Sequence, residues 1–291
     1  MKAIESLVAS SGYQDAFSVK DLVAVLAVVA VLGAIAPPSI ANSKSRSDAA
    51  TCLYNHRQLS RAWQLFAEEN NGSLVGNLDG ADVQTLANSN KTWALGWFDF
   101  LGGSAFPGNY GGRANTNTFV LTQISPLAPH LNRDAAAFKC PADTSLNLGT
   151  KGIPRVRSIS MNGYIGERVG PFTTGYRQFK KISEILDPKP SQAFVFIDER
   201  EDSINDACFL LDMAGFRPLD PSHYTIVDYP ADWHNRGANL SFADGHTETW
   251  RWSDRRTMPL HRRGLLIPLA VASPNNPDVA RIQAATSSKL R

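Results

Sequence analysis

Residues 16–41 read Ala16-Phe17-Ser18-Val19-Lys20-Asp21, then Leu22 to Ala36 without a charge, then Pro37-Pro38-Ser39-Ile40-Ala41. An unpaired carboxylate at the head of an apolar helix is costly to bury, in protein or in lipid, so Asp21 needs a reason to be there. The uncharged core is fifteen residues long. That is about 22 Å of helix against about 30 Å of bilayer hydrocarbon, and extending the run from Phe17 to Ala41 closes the gap only by taking in Lys20 and Asp21. Lys20 is adjacent to Asp21 and so faces another side of the helix, from which its long stem can snorkel.

Two readings follow from these residues alone, a plain membrane anchor and a secretory signal peptide cut after Ala36 or Ala41. Residues 1–21 carry Lys2 and Lys20 against Glu5, Asp15 and Asp21, a net −1 where a signal peptide needs a basic start. Lys44, Arg46, Arg57 and Arg61 follow the apolar run, and the positive-inside rule then leans towards keeping that following side inside.

Outward from this stretch, Ala49, Cys52, His56, Leu59, Trp63 and Phe66 recur at three- and four-residue spacing, and Asn70-Asn71-Gly72 supplies a stop. The spacing predicts one helix over 17–70 with a bend near Pro37-Pro38 and its second half packed on a globular domain, His56 being a packed histidine. With 43% apolar and 19% charged residues among 291 and a net charge of +2, the remainder reads as an ordinary globular domain without a nucleic-acid footprint. Residues 73–135 interleave Trp93, Trp97, Phe98, Phe100 and Phe106 with glycines, as core or as an exposed partner loop. Ala193 to Ile197 is a buried β-strand ending in Asp198-Glu199, and 155–160 is another. Alternation over 238–243, Asp244-Gly245 and the return from His246 to Trp252 predict a hairpin with a two-residue turn, Phe242 facing Thr247 and Leu240 facing Thr249. His234 lies ten residues before Asp244, about 30 Å along a straight strand, so it is a strand-entry residue and not the partner of a dyad. Residues 273–291 read as a mobile or frayed tail.

The start of the chain resembles type IV pilins and type II secretion pseudopilins. That resemblance implies cleavage between Ala16 and Phe17 by a prepilin peptidase, methylation of the Phe17 amine, and an assembly role for Asp21 against that amine. Ala16, Lys20 and Asp21 stand where the family usually has Gly, an apolar residue and Glu. A narrower resemblance, to pilin-like proteins of planctomycetes and verrucomicrobia, rests on Cys140-Pro141-Ala142-Asp143, on Ser158 to Tyr164 with Asn162-Gly163, and on His234 followed after nine residues by Asp244-Gly245. The implied fold is α+β, a long N-terminal α-helix, membrane-embedded in its first half, on an antiparallel sheet head with long loops. The implied organisation is a leader over 1–16, a transmembrane helix over 17–41, its amphipathic continuation over 42–72, a β-rich head over 73–260 and a tail over 261–291. The implied role is a structural subunit, not an enzyme, single-pass in the inner membrane with its head in the periplasm or outside. Its partners would be the membrane, copies of itself and other pilin-like subunits.

Two other function classes stay open: a membrane-anchored surface binding module, and an anchored metal-dependent hydrolase using Asp198, Glu199, Asp232, His234, Asp244, His246 and Glu248. The chain has no Gly-x-Ser-x-Gly, His-Glu-x-x-His or phosphate-loop pattern. No cofactor is expected. Were a metal bound, calcium would suit the oxygen-rich subset and is the metal known from some pseudopilins, although no spacing here matches a ligand loop. In an exported head Cys52 and Cys140 could form a disulfide pinning helix to sheet, with Cys208 left over; free buried thiols are the alternative.

Overall fold

The structure, a computed structural model, describes residues 18–106, 112–167 and 174–290, and their side chains except at 31–42. The leader, the Ala16–Phe17 cleavage point and the Phe17 amine lie outside the described residues. The chain divides into two units, Met1–Lys44 and Ser45–Arg291.

Helix α1 (Val19–Glu69) starts in the first unit and stays helical through Pro37-Pro38. Ser18 starts it with a reciprocal capping box: its N–H and hydroxyl donate to Asp21 Oδ2 at 2.9 and 2.6 Å, and the Asp21 N–H returns to Ser18 Oγ at 3.3 Å. The Ser18 hydroxyl, then its backbone, hold the Asp21 carboxyl below its usual value. The acid at the head of the apolar run is thus engaged in starting its own helix.

No helix among the described residues is long and apolar enough to cross a membrane. That finding overturns the membrane-embedded first half of the helix and, with it, the single-pass inner-membrane placement. The apolar run is short: the fifteen residues Leu22 to Ala36 are bounded by Lys20-Asp21 before and by Pro37-Pro38-Ser39 after.

In the second unit, α1 buries Cys52, His56, Leu59 and Trp63 with Ala49 and Phe66 half-buried, the stripe the spacing predicts. It stops where Asn71 turns left-handed and the Gly72 N–H reaches back to the Ala67 carbonyl at 2.7 Å. Two small hairpins follow, β1 (Ala105–Phe106) with β2 (Gly112–Arg113) and β3 (Leu146–Leu148) with β4 (Lys151–Pro154). The main sheet comprises β5 (Ile159–Asn162), β6 (Phe194–Asp198), β7 (Cys208–Phe209), β9 (Gly237–Phe242) and β10 (Thr247–Arg251), in the order β10-β9-β6-β5-β7. A further pair, β8 (Thr225–Ile226) with β11 (Val271–Ala272), lies apart from it.

The sheet is mixed, which corrects the antiparallel expectation. After β6 the chain reverses and, because β9 and β5 hold both edges of β6, β7 lands on the free edge of β5 and pairs with it in parallel. One face carries the core that includes Leu59, Trp63, Trp93, Phe138 and Phe196, and the other carries Phe194, Ile197, Leu240, Phe242 and Trp250 with Ile282 of α2 (Pro277–Ala284). The Trp93, Phe98 and Phe106 rings are therefore core rather than a partner loop. The last residues also pack: Asn276 caps α2 through the Asp278 N–H at 2.9 Å, and Val279, Ile282 and Ala285 are buried, against the expectation of a frayed tail.

The β9–β10 hairpin forms, one residue out of the expected register. Thr247 faces Ser241, Glu248 faces Leu240 and Thr249 faces Asn239. The loop is three residues long: the Gly245 N–H donates to the Phe242 carbonyl at 2.9 Å, and Gly245 has φ +94. A type I turn followed by a left-handed glycine is the three-residue alternative to the two-residue turn. It places Phe242 against His246, whose rings stack at 4.4 Å. A Cβ at Gly245 would also meet Gln64 Nε2 at 3.2 Å. Gly245→Ala is expected to cost about 1–2 kcal/mol, as for other L-residues forced left-handed. An unchanged urea midpoint would show that the loop does not need this glycine.

Candidate metal centre

Strand β6 carries the feature on which the site depends. Phe194 faces the α2 side, Val195 and Phe196 both face the α1 side, and Ile197 faces the α2 side again. The pairing of β6 with β9 shifts register between Phe194 and Phe196, the mark of a bulge. Without that extra residue strict alternation would send Asp198 to the α2 side. With it, the carboxylate lies under α1 and against Cys52 and His56.

Cys52 Sγ lies 3.2 Å from both Asp198 oxygens, and His56 Nε2 lies 3.0 Å from Oδ1. The Asn239 N–H of β9 donates to Oδ2 at 3.0 Å. His234 Nε2 stands 3.5 Å from Oδ2 and 3.2 Å from Cys140 Sγ. The Cys140 N–H is held by Ser158 Oγ at 2.9 Å, and the His234 N–H by the Gly237 carbonyl at 3.0 Å. One ligand atom from each of Cys52, Cys140, Asp198 and His234 lies within 4.8 Å of every other, and all four residues are buried. A helix, a loop, a strand and a strand-entry segment thus converge on one point.

Electrostatics sharpen the contrast among these groups. Burial would raise the Asp198 carboxyl, but the facing charge of His56 and hydrogen bonds from His234 and His56 hold it well below the carboxylate range. For His234 burial acts downward and is outweighed by Asp198 and Cys140, so the imidazolium persists up to about 10. Burial, then Cys140 and Asp198, push the Cys52 thiol well up. The Cys140 thiol moves down, because hydrogen bonds from Cys52 and His234 outweigh burial. Without a ligand, then, the two thiols are pushed apart, Cys52 up and Cys140 down, beside the His234 imidazolium. His56 Nδ1 is buried with no hydrogen-bond partner among the described residues.

Other residues of the motifs serve elsewhere. Asp143 caps a turn by accepting the Ser145 N–H at 2.8 Å, just past half-buried Pro141, and burial raises its carboxyl. The Asn162 amide bridges the carbonyls of Phe194 and Thr286 at 3.0 and 3.1 Å, tying the C-terminal segment to β6. Gly163 lets the chain approach β7, since a Cβ there would meet Cys208 Sγ and the Phe209 carbonyl at 3.1 Å. Asp244 holds His246 Nδ1 at 2.6 Å at the hairpin tip and does not meet His234. The set named for calcium or hydrolysis splits: Asp198 and His234 meet in the cluster, His246 lies between Asp244 and Glu248 at the hairpin tip, Asp232 turns to His261 and Glu199 to Ser203.

No family model matches the chain, and neither a curated protein nor a solved structure matches it. The site is therefore read from its own chemistry. Cys52 and Cys140, singled out as a disulfide pair, are neighbours and are free thiols in this structure. His234 joins them, with Asp198, which the hydrolase reading grouped with His234 but not with the cysteines, and His56, which the sequence assigned to packing. Two sulfurs, an imidazole and a carboxylate form a donor set for a borderline-soft ion such as zinc, not for oxygen-seeking calcium.

Proposed function

We propose that this chain is a pilin-like structural subunit that assembles through the amino-terminal part of α1. The observation that carries this reading is the exposure of that part. Val19, Leu22, Val23, Val25, Leu26, Val28 and Val29 are between 49% and 78% exposed, on every side of the helix. A continuous apolar surface of this kind needs a cover. The cover we assign is the same segment of other copies. Lys20 and Asp21 are adjacent and so point to different sides, which lets staggered copies place unlike charges opposite each other.

The resemblance carried by Ala16 to Pro38 and by the three downstream motifs supports the same reading. The buried cluster favours a structural over a catalytic role, because its four candidate ligands all come from protein and none leaves an open position for substrate.

Val25→Asp in the full chain tests the proposal by sedimentation velocity and negative-stain microscopy. Wild type is expected to form higher-order assemblies and the variant to stay monomeric, with the thermal midpoint of the second unit unchanged. A wild-type chain that is monodisperse and monomeric at all concentrations overturns the proposal, as do assemblies that survive the substitution.

A further inference from the structure

We infer that Cys52, Cys140, Asp198 and His234 bind one divalent ion of the zinc class, as a structural clasp between α1 and the sheet. The inference is independent of assembly, since all four residues belong to the Ser45–Arg291 unit.

Geometry is the first support. Tetrahedral zinc with sulfur ligands at about 2.3 Å and nitrogen or oxygen at about 2.0–2.1 Å needs ligand atoms about 3.3–3.8 Å apart. Here the named contacts are 3.2 Å for Cys52 to Asp198, 3.2 Å for Cys140 to His234 and 3.5 Å for His234 to Asp198. These three contacts lie at or just below that spacing, and all four ligand atoms lie within 4.8 Å of one another, so only small shifts close them on one ion. Binding displaces the thiol protons and the second imidazole proton to solvent and changes no oxidation state.

Supporting hydrogen bonds are the second. Metal-bound carboxylates and histidines are held by outer partners. Asp198 has the Asn239 N–H on one oxygen and His56 on the other, and Ser158 fixes the Cys140 backbone. His56 is thus a positioning residue, acting through Asp198 rather than on the ion.

Access is the third. A cleft of about 740 Å³, lined by Ser45, Arg46, Ala49, His234, Asn235 and Thr249 among others, reaches His234 from outside. It supplies the entry path that a buried site requires.

The experiment uses the full chain, reduced, stripped with chelator and titrated with ZnCl2 or CoCl2. We expect one zinc per chain by elemental mass spectrometry. Cobalt should give the thiolate charge-transfer and intense visible bands of a tetrahedral sulfur site. Cys140→Ser and His234→Ala should abolish stoichiometric binding, whereas Cys208→Ser, at the third cysteine, should retain it. His56→Gln should weaken binding by about 10–100-fold with stoichiometry and cobalt spectrum unchanged. Zinc should also protect Cys52 and Cys140 from iodoacetamide. The wild-type measurements need no variant to fold. Absence of stoichiometric zinc on the reduced wild-type chain overturns the inference. So does binding that survives Cys140→Ser, or recovery of Cys52 and Cys140 as a disulfide from native protein.

Discussion

Asp198→Ala should lower the stability of the Ser45–Arg291 unit by about 3–5 kcal/mol, the range for breaking a buried charged pair from one side. The carboxylate is fully buried and takes hydrogen bonds from two histidines, a cysteine and the Asn239 N–H. Alanine would leave these donors buried without an acceptor, and each such group carries a desolvation penalty of about 1–3 kcal/mol. Urea unfolding followed by tryptophan fluorescence is the measurement. With a slope near 3 kcal/mol per molar, the midpoint should fall by about 1–2 M. Asp198→Asn, which keeps volume and one acceptor, should fall between the two. A loss below about 1 kcal/mol for alanine would mean that the carboxylate does not organise this region.

Trp93→Ala is the second large effect. Its ring is fully buried, stacked on Phe138 at 5.9 Å and edge-on to Phe196 at 5.0 Å, and its Nε1–H donates to the Ala207 carbonyl at 3.0 Å. Truncating a buried Trp costs about 3–5 kcal/mol, from lost transfer energy and the cavity left behind. At about 2–4 °C per kcal/mol for a unit of this size, the thermal midpoint should drop by roughly 6–20 °C. A drop under about 3 °C would return residues 73–135 to the status of a surface insertion.

How far the fold was legible depended on whether its signal was local. The stripe from Ala49 to Phe66 and the strand ending at Asp198 were legible because periodicity and β-branched or aromatic content are local properties. The hairpin was legible but its register was not, since Asp244-Gly245 suits both two- and three-residue loops and Gln64 of α1 lies beside the glycine. Helix α2 was missed because eight residues are too few for a periodic signal, and its start is set by the Asn276 side chain. The membrane expectation came from a motif, and no helix among the described residues is long and apolar enough to meet it.

The cluster was half legible. Cys52, Cys140 and His234 were each singled out, and the first two were placed together on the idea of a helix–sheet link. Asp198 was grouped with His234 but not with the cysteines, because a bulge in β6 decides which way it points, and no residue between Phe194 and Asp198 marks the extra position. His56 was assigned to packing, and its contact with Asp198 spans 142 residues.

Those separations have a kinetic corollary. Cys52 and Asp198 are 146 positions apart, and Cys140 and His234 are 94 apart. Contacts between such distant segments are slow to form and close late in folding. The four side chains can therefore meet only when nearly the whole second unit has come together. Whatever joins them latches a finished domain; it does not seed an early one.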